Sequence, residues 1–104
     1  MFPITAETAA MLALAEVLHR QQRRIARAKA KYAETGDERY LSDAKFEDSI
    51  VYIIASVSLW EQYSLWHVAF ILEDENGNPI SRDPDLEMCV DCWTGETFYC
   101  GVPL

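Results

Sequence analysis

The segment Ala6–Glu34 constrains this chain more than any other part of it. It is rich in Ala, Leu, Arg, Lys and Gln, which lose little on entering an α-helix. Thr5 is placed to cap the first turn, where Glu7 complements the helix dipole, and Gly36 is placed to stop the last turn. The Arg and Lys residues gather in the second half, where the dipole favours cations. Met11, Leu14, Leu18, Gln21, Ile25, Ala28 and Tyr32 recur at spacings of 3 and 4, which places them on one seam. Arg20, Arg23, Arg24, Arg27 and Lys31 fall on another arc, opposite the seam at about 100° per residue. The expectation is one long amphipathic helix with an arginine ridge. Its seam, about three heptads long, packs on the chain's own sheet or, as the alternative, on a helical partner or a second copy.

The rest of the chain supplies the sheet. At 104 residues it is read as a single domain, 1–104, and with 50% apolar residues it can bury a core. Asp37–Asp48 reads as a short second helix capped by Asp37, with Tyr40, Leu41 and Ala44 turned inward. Ile50–Leu59 carries four Val/Ile in its first five positions, which favours a strand. A buried helix continuing from Glu38 is the alternative. In Leu65–Glu73, Trp66, Val68, Phe70 and Leu72 alternate onto one apolar face. The link 60–64 is short enough for a hairpin, Asn76-Gly77 marks a turn, and Ser81–Asp85, with Pro84, reads as loop. Leu86–Cys92 and Glu96–Val102 read as two strands around Thr94-Gly95. The fold class is therefore α+β: a long helix of about 6–34 and a short second helix, packed on a four-stranded antiparallel sheet of about 50–59, 65–73, 86–92 and 96–102.

Charge divides the chain. Residues 1–36 hold six Lys/Arg against three Glu, whereas residues 37–104 hold three against fourteen Asp/Glu, for a net charge of −8. A globally basic nucleic-acid binder does not look like this. The longest apolar run, Ile50–Trp60, has 11 residues and two serines, short of the about 20 that span a bilayer. Ala9–Leu18 follows no cation and precedes no cleavage-site pattern, so a secretory signal is not read, and the expected compartment is the cytoplasm.

Cys89, Cys92 and Cys100 are read as reduced, partly buried thiols, since an odd count is a poor disulfide framework. Cys89-x-x-Cys92, Cys100 and His67 invite a zinc reading. With Gly95 as the left-handed residue of the hairpin, however, Met88 would face Cys100 and Cys92 would face Glu96. Cys89 would then point away from both other thiols. Asp74-Glu75-Asn76-Gly77-Asn78 has the composition of half a calcium loop, but its glycine comes too early and an ordinary turn is the better reading. No Gly-rich phosphate loop and no nucleophile elbow is present. No catalytic residue, metal ligand or cofactor is assigned.

Trp66-His67-Val68-Ala69-Phe70, followed by Val90-Asp91-Cys92-Trp93-Thr94-Gly95-Glu96, resembles the closing part of PepSY-type and nuclear-transport-factor-like (cystatin-like) small domains. The resemblance covers the C-terminal third and does not include the long basic helix. It implies a fold neighbourhood and carries over no catalytic residue. Some such domains serve bacterial toxin systems as immunity proteins.

The leading expectation is a non-enzymatic protein-binding module, a small acidic inhibitor of immunity or anti-defence (anti-CRISPR) type from a bacterium, phage or mobile element. It would block a nuclease or nucleic-acid-binding complex by steric and electrostatic occupancy. The candidate contacts are Asp37, Glu38, Asp43, Glu47, Asp48, Glu73, Asp74 and Glu75, with Asp83, Asp85 and Glu87 in the same acidic region. Trp60, Tyr63 and Trp93 are candidate aromatic anchors. Arg20, Arg23, Arg24, Arg27 and Lys31 are secondary candidates, for phosphates or an acidic protein. Two alternatives stand beside this: a cystatin-like small-ligand binder or enzyme using His67 with Asp91, and an assembly protein dimerising through the helix seam or strand edges.

Overall fold

The computed structural model describes residues 1–82 and 85–100. Asp83, Pro84 and the predicted strand end at 101–102 lie outside the described residues. The fold is α+β. Helix α1 (Ala6–Thr35) and helix α2 (Glu38–Ser49) precede strands β1 (Val51–Trp60), β2 (Leu65–Glu73), β3 (Pro79–Ile80), β4 (Glu87–Asp91) and β5 (Thr97–Tyr99). The sheet is antiparallel in the order β1-β2-β4-β5, and a short β3, additional to the four expected strands, pairs with the far end of β2. Among the described residues no helix is long and apolar enough to cross a membrane.

Both helix caps form as the residue types dictate. Thr5 Oγ1 accepts from the Thr8 amide, and Gly36, at φ +69°, donates to the Tyr32 carbonyl. The buried stripe of α1 differs from the predicted seam. It runs Ala9, Ala13, Val17, Gln21 and Ile25, whereas Met11 and Leu18 are 72% and 41% exposed. Apolar residues surround most of the helix in its first half, so hydrophobicity alone does not select a face there. Side-chain size does. Ala9 and Ala13 let the helix axis approach the sheet closely, and Leu12 and Leu14 pack at the flanks of the core formed with Phe70, Leu72, Met88 and Val90.

Helix α2 folds back along α1 from the Gly36 turn. Asp37 caps it by accepting from the Arg39 amide. Ala44 and Glu47 are its buried residues; Leu41, expected inside, is exposed. Gln21 fastens the passage from α2 into β1. Its Nε2 donates to the carbonyls of Glu47 (2.6 Å) and Ile50 (3.0 Å), both buried contacts. Gln21→Leu removes a buried donor from both carbonyls, leaving Glu47 with the Ile50 amide alone, and the expected cost is about 1–3 kcal/mol in urea unfolding followed by circular dichroism.

Ile50–Leu59 resolves as strand. A β-bulge lies between Ile54 and Ser56, and it explains why the run does not alternate. Tyr52 and Ile54 before the bulge and Val57 after it all pack on the core, while Ser56 and Ser58 turn to the other face. At the β4–β5 hairpin the predicted register is off by one. Met88 pairs with Tyr99 and Cys89 with Phe98. The cause is the turn. Asp91 and Glu96 close a four-residue loop, in which Asp91 Oδ1 accepts from the amides of Trp93 and Thr94 and Gly95 stands at φ +78°. Cys89 therefore does not point away from Cys100; their sulfurs lie 2.6 Å apart.

Candidate protein-binding surface

The candidate residues divide into an internal network and two groups on the surface. The internal network is built around Asp85, which is 0% exposed. Arg24 of α1 places Nη2 2.6 Å from Asp85 Oδ2 and 2.7 Å from the Tyr52 hydroxyl, and its Nε lies 3.2 Å from Glu47 Oε2. Arg82 pairs with the other oxygen of Glu47. The hydroxyls of Tyr52 and Tyr99 donate to Asp85 (3.3 and 3.1 Å). Arg20 pairs with Glu16 and lies over the Tyr99 ring, 3.8 Å from its centroid. Arg20, Arg24, Glu47 and Asp85, read from the sequence as surface charges, thus hold α1, α2, β1 and β5 together.

The quartet Arg24, Arg82, Glu47 and Asp85 is neutral as a unit, so the net charge of −8 resides elsewhere on the chain. Burial pulls the Arg24 guanidinium down, but Asp85, Tyr52 and Glu47 outweigh that and leave it above its ordinary value. Burial pushes the Tyr52 phenol up to about 12. The fold thus favours the neutral phenol, whose unfolded value is about 10. This contribution is intact below pH 10 and is lost as pH rises from 10 through 12. The unfolding temperature should fall more steeply across that window in the wild type than in Tyr52→Phe, as followed by circular dichroism.

The second group is acidic: it follows α2 from its Asp37 cap to Asp48 and meets the β2–β3 turn at one end of the sheet. The β2–β3 turn carries Glu73, Asp74 and Glu75. Asp74 is committed to the turn, accepting from the amides of Asn76 and Asn78. Asp48 and Glu75 line one open hollow with Lys45, Phe46 and Ser49. Asp37 is held by Arg39 through both carboxylate oxygens. Glu38, Asp43, Asp48 and Glu75 remain exposed, and Glu73 is half-buried. Of the basic ridge, Arg23, Arg27 and Lys31 stay exposed, the last two beside Asp43 in the groove between the helices.

The third group is aromatic and lies at the opposite end. The Cys92 amide donates to the Ser64 carbonyl, which brings the β1–β2 and β4–β5 turns together. Trp60, Tyr63 and Trp93 are all exposed at these turns or beside them. Trp93 meets Phe2 edge-on at 5.1 Å. Trp60 stacks on His67, with ring centroids 4.5 Å apart and 9° between planes. That covers the imidazole, whose Nε2 lies 3.2 Å from Glu87 Oε1. Asp91 is engaged by the hairpin amides, so the structure does not join it to His67.

Strand β1 connects the acidic end to the aromatic end. It is the edge of the sheet, and among the described residues no strand pairs with its outer side. None of its ten residues is charged. On the face away from α1, Ile53 (40% exposed) lies directly opposite Ile71 (47%), next to Val51. Val51, Ile53 and Ile71 are not among the contacts expected from residue type and charge. Their one local signal is the uncharged length of 51–60, which marks a strand without marking an edge. Comparison of the chain with protein-family models, with curated proteins and with solved structures gives no match in any of the three.

Proposed function

We propose that this protein is a non-enzymatic protein-binding module, a small acidic inhibitor of immunity or anti-defence type. Its target is a nuclease or nucleic-acid-binding complex, which it blocks by steric and electrostatic occupancy. One observation carries the reading: an open, uncharged edge strand with exposed Val51, Ile53, Leu59 and Trp60, on a chain of net charge −8. Natural edge strands are normally blunted by charge, proline or a covering segment. Here, among the described residues, only the bulge at 54–56 interrupts the edge. A ten-residue edge left open in this way suits strand addition by a partner, with side-chain contacts supplying specificity.

Charge decides what that partner is. Asp48 precedes β1, Glu61 follows it, and Glu75 lies beside Asp48. A second copy pairing antiparallel would set these acidic ends against each other. A basic segment meets them favourably, and a surface evolved to hold phosphates is basic. The exposed acids then stand where phosphates would, and Tyr63 and Trp60 provide aromatic anchors.

The test is affinity capture of the tagged chain from lysate of a bacterial host, with nuclease treatment, beside the variant Asp43→Lys/Asp48→Lys/Glu75→Lys. The expected result is a stoichiometric basic protein that resists nuclease, binds wild type with steep salt dependence, and is lost or nearly so with the variant. Material lost on nuclease treatment would transfer the function to Arg23, Arg27 and Lys31 and to nucleic acid. Retention by the charge-reversed variant would remove the electrostatic part of the proposal.

A further inference from the structure

The corrected hairpin register places two thiols together. Cys89 on β4 and Cys100, one residue past β5, have their sulfurs 2.6 Å apart. That is inside the distance at which two unbonded sulfur atoms rest against each other and outside that of a disulfide. The two residues are diagonal neighbours across an antiparallel pair, with Cys89 opposite Phe98 and the Cys100 amide directed at the Glu87 carbonyl. Their accessibility differs. Cys89 is fully buried and Cys100 half-buried, so a reagent from solvent reaches Cys100 first. The third thiol, Cys92, is buried in the turn, where its backbone is fixed by Ser64 and Ile4.

We propose that Cys89 and Cys100 are a thiol–disulfide exchange site, closed to an intrachain disulfide by a low-molecular-weight disulfide such as oxidised glutathione. In the first step the Cys100 thiolate attacks one sulfur of the small disulfide and expels one small thiolate, leaving a mixed disulfide on Cys100. In the second step the Cys89 thiolate attacks the Cys100 sulfur and expels the other small thiolate. The protein loses two electrons and two protons, and the small disulfide is reduced to two thiols. Cys100 is thus the entry thiol and Cys89 the resolving thiol. Closure ties the three-residue edge strand β5 covalently to β4, and cross-linking of this kind narrows the unfolded ensemble. Burial raises both thiols, so exchange is slow and the incubation should run for hours.

The test uses the full chain with oxidised glutathione, followed by alkylation under denaturing conditions and intact mass. The expected wild-type product has lost two hydrogens and accepts one alkyl group, on Cys92. Cleavage after Glu96 leaves the two halves of the hairpin joined until dithiothreitol is added. Cys92→Ser forms the same bridge. Cys89→Ser stops at glutathione attached to Cys100. The closed form unfolds at least about 5 °C higher than the reduced form, and dithiothreitol reverses the difference. Three alkylatable thiols after incubation, a bridge that includes Cys92, or a mixed disulfide that persists on wild-type Cys100 would each overturn the proposal. The readout is on the wild-type chain, so it does not depend on any variant folding.

Discussion

Asp85→Ala is expected to lower the free energy of unfolding by about 3–5 kcal/mol, the cost of breaking a buried ion pair by removing one partner. Asp85 is fully buried and accepts from Arg24, Tyr52 and Tyr99. Its removal leaves a guanidinium facing one carboxylate in place of two, and two phenols without their acceptor. Small domains are stable by about 5–15 kcal/mol, so this single change takes a large share of the total. Arg24→Ala is expected to cost a similar amount. The double variant should cost clearly less than the sum of the two, because each single change already breaks the shared contact. Replacing Arg23, an exposed neighbour on the same helix, should change stability by less than about 0.5 kcal/mol. Urea unfolding followed by circular dichroism measures all four. A loss below about 1 kcal/mol for Asp85→Ala would mean that Asp85 is not enclosed by this network.

Ile53→Lys is expected to weaken partner binding at least about 30-fold, the loss of one hot-spot residue worth 2 kcal/mol or more. Ile53 sits near the acidic end of β1, on the face away from α1 and opposite Ile71. A lysine there is the device by which natural sheets refuse edge pairing. Against a basic partner it adds repulsion as well as removing apolar contact. The side chain is already 40% exposed, so the variant should keep its fold. Isothermal titration against the captured partner, with an unfolding curve for the variant, separates a binding effect from a folding one. Ser58→Lys, further along the same strand and on the same face, should weaken binding in the same direction.

Much of the fold was legible because it rests on strong local signals. Thr5, Gly36 and Asp37 fix helix boundaries through their own chemistry. The alternation of Val68, Phe70 and Leu72 identifies the inward face of β2. The face of α1 was less legible, because its first half is apolar nearly all round and the choice falls to the size of Ala9 and Ala13, a tertiary effect. The hairpin register was missed because a four-residue loop and a shorter one place Gly95 equally well, and a shift of one residue turns every side chain to the other face.

The candidate site was half legible. A charged residue in a sequence looks like surface, and Arg24, Glu47 and Asp85 carry no local mark of the partners that bury them. Those partners lie on separate elements, so only the folded chain reveals them. Trp60 and Tyr63 were identified from residue type. Ile53 and Ile71 were not, because their exposure follows from β1 lying at the sheet edge, which is a fact of strand order.

Hydrogen–deuterium exchange on the complex reads strand addition at β1 amide by amide. With the captured partner at saturating concentration, strong added protection is expected at backbone amides within Val51–Trp60, with lesser protection around Asp48, Glu75 and Tyr63. The amides of α1 should be little changed. Protection confined to α1 around Arg23, Arg27 and Lys31, with β1 exchanging as in the free chain, would rule out strand addition at β1.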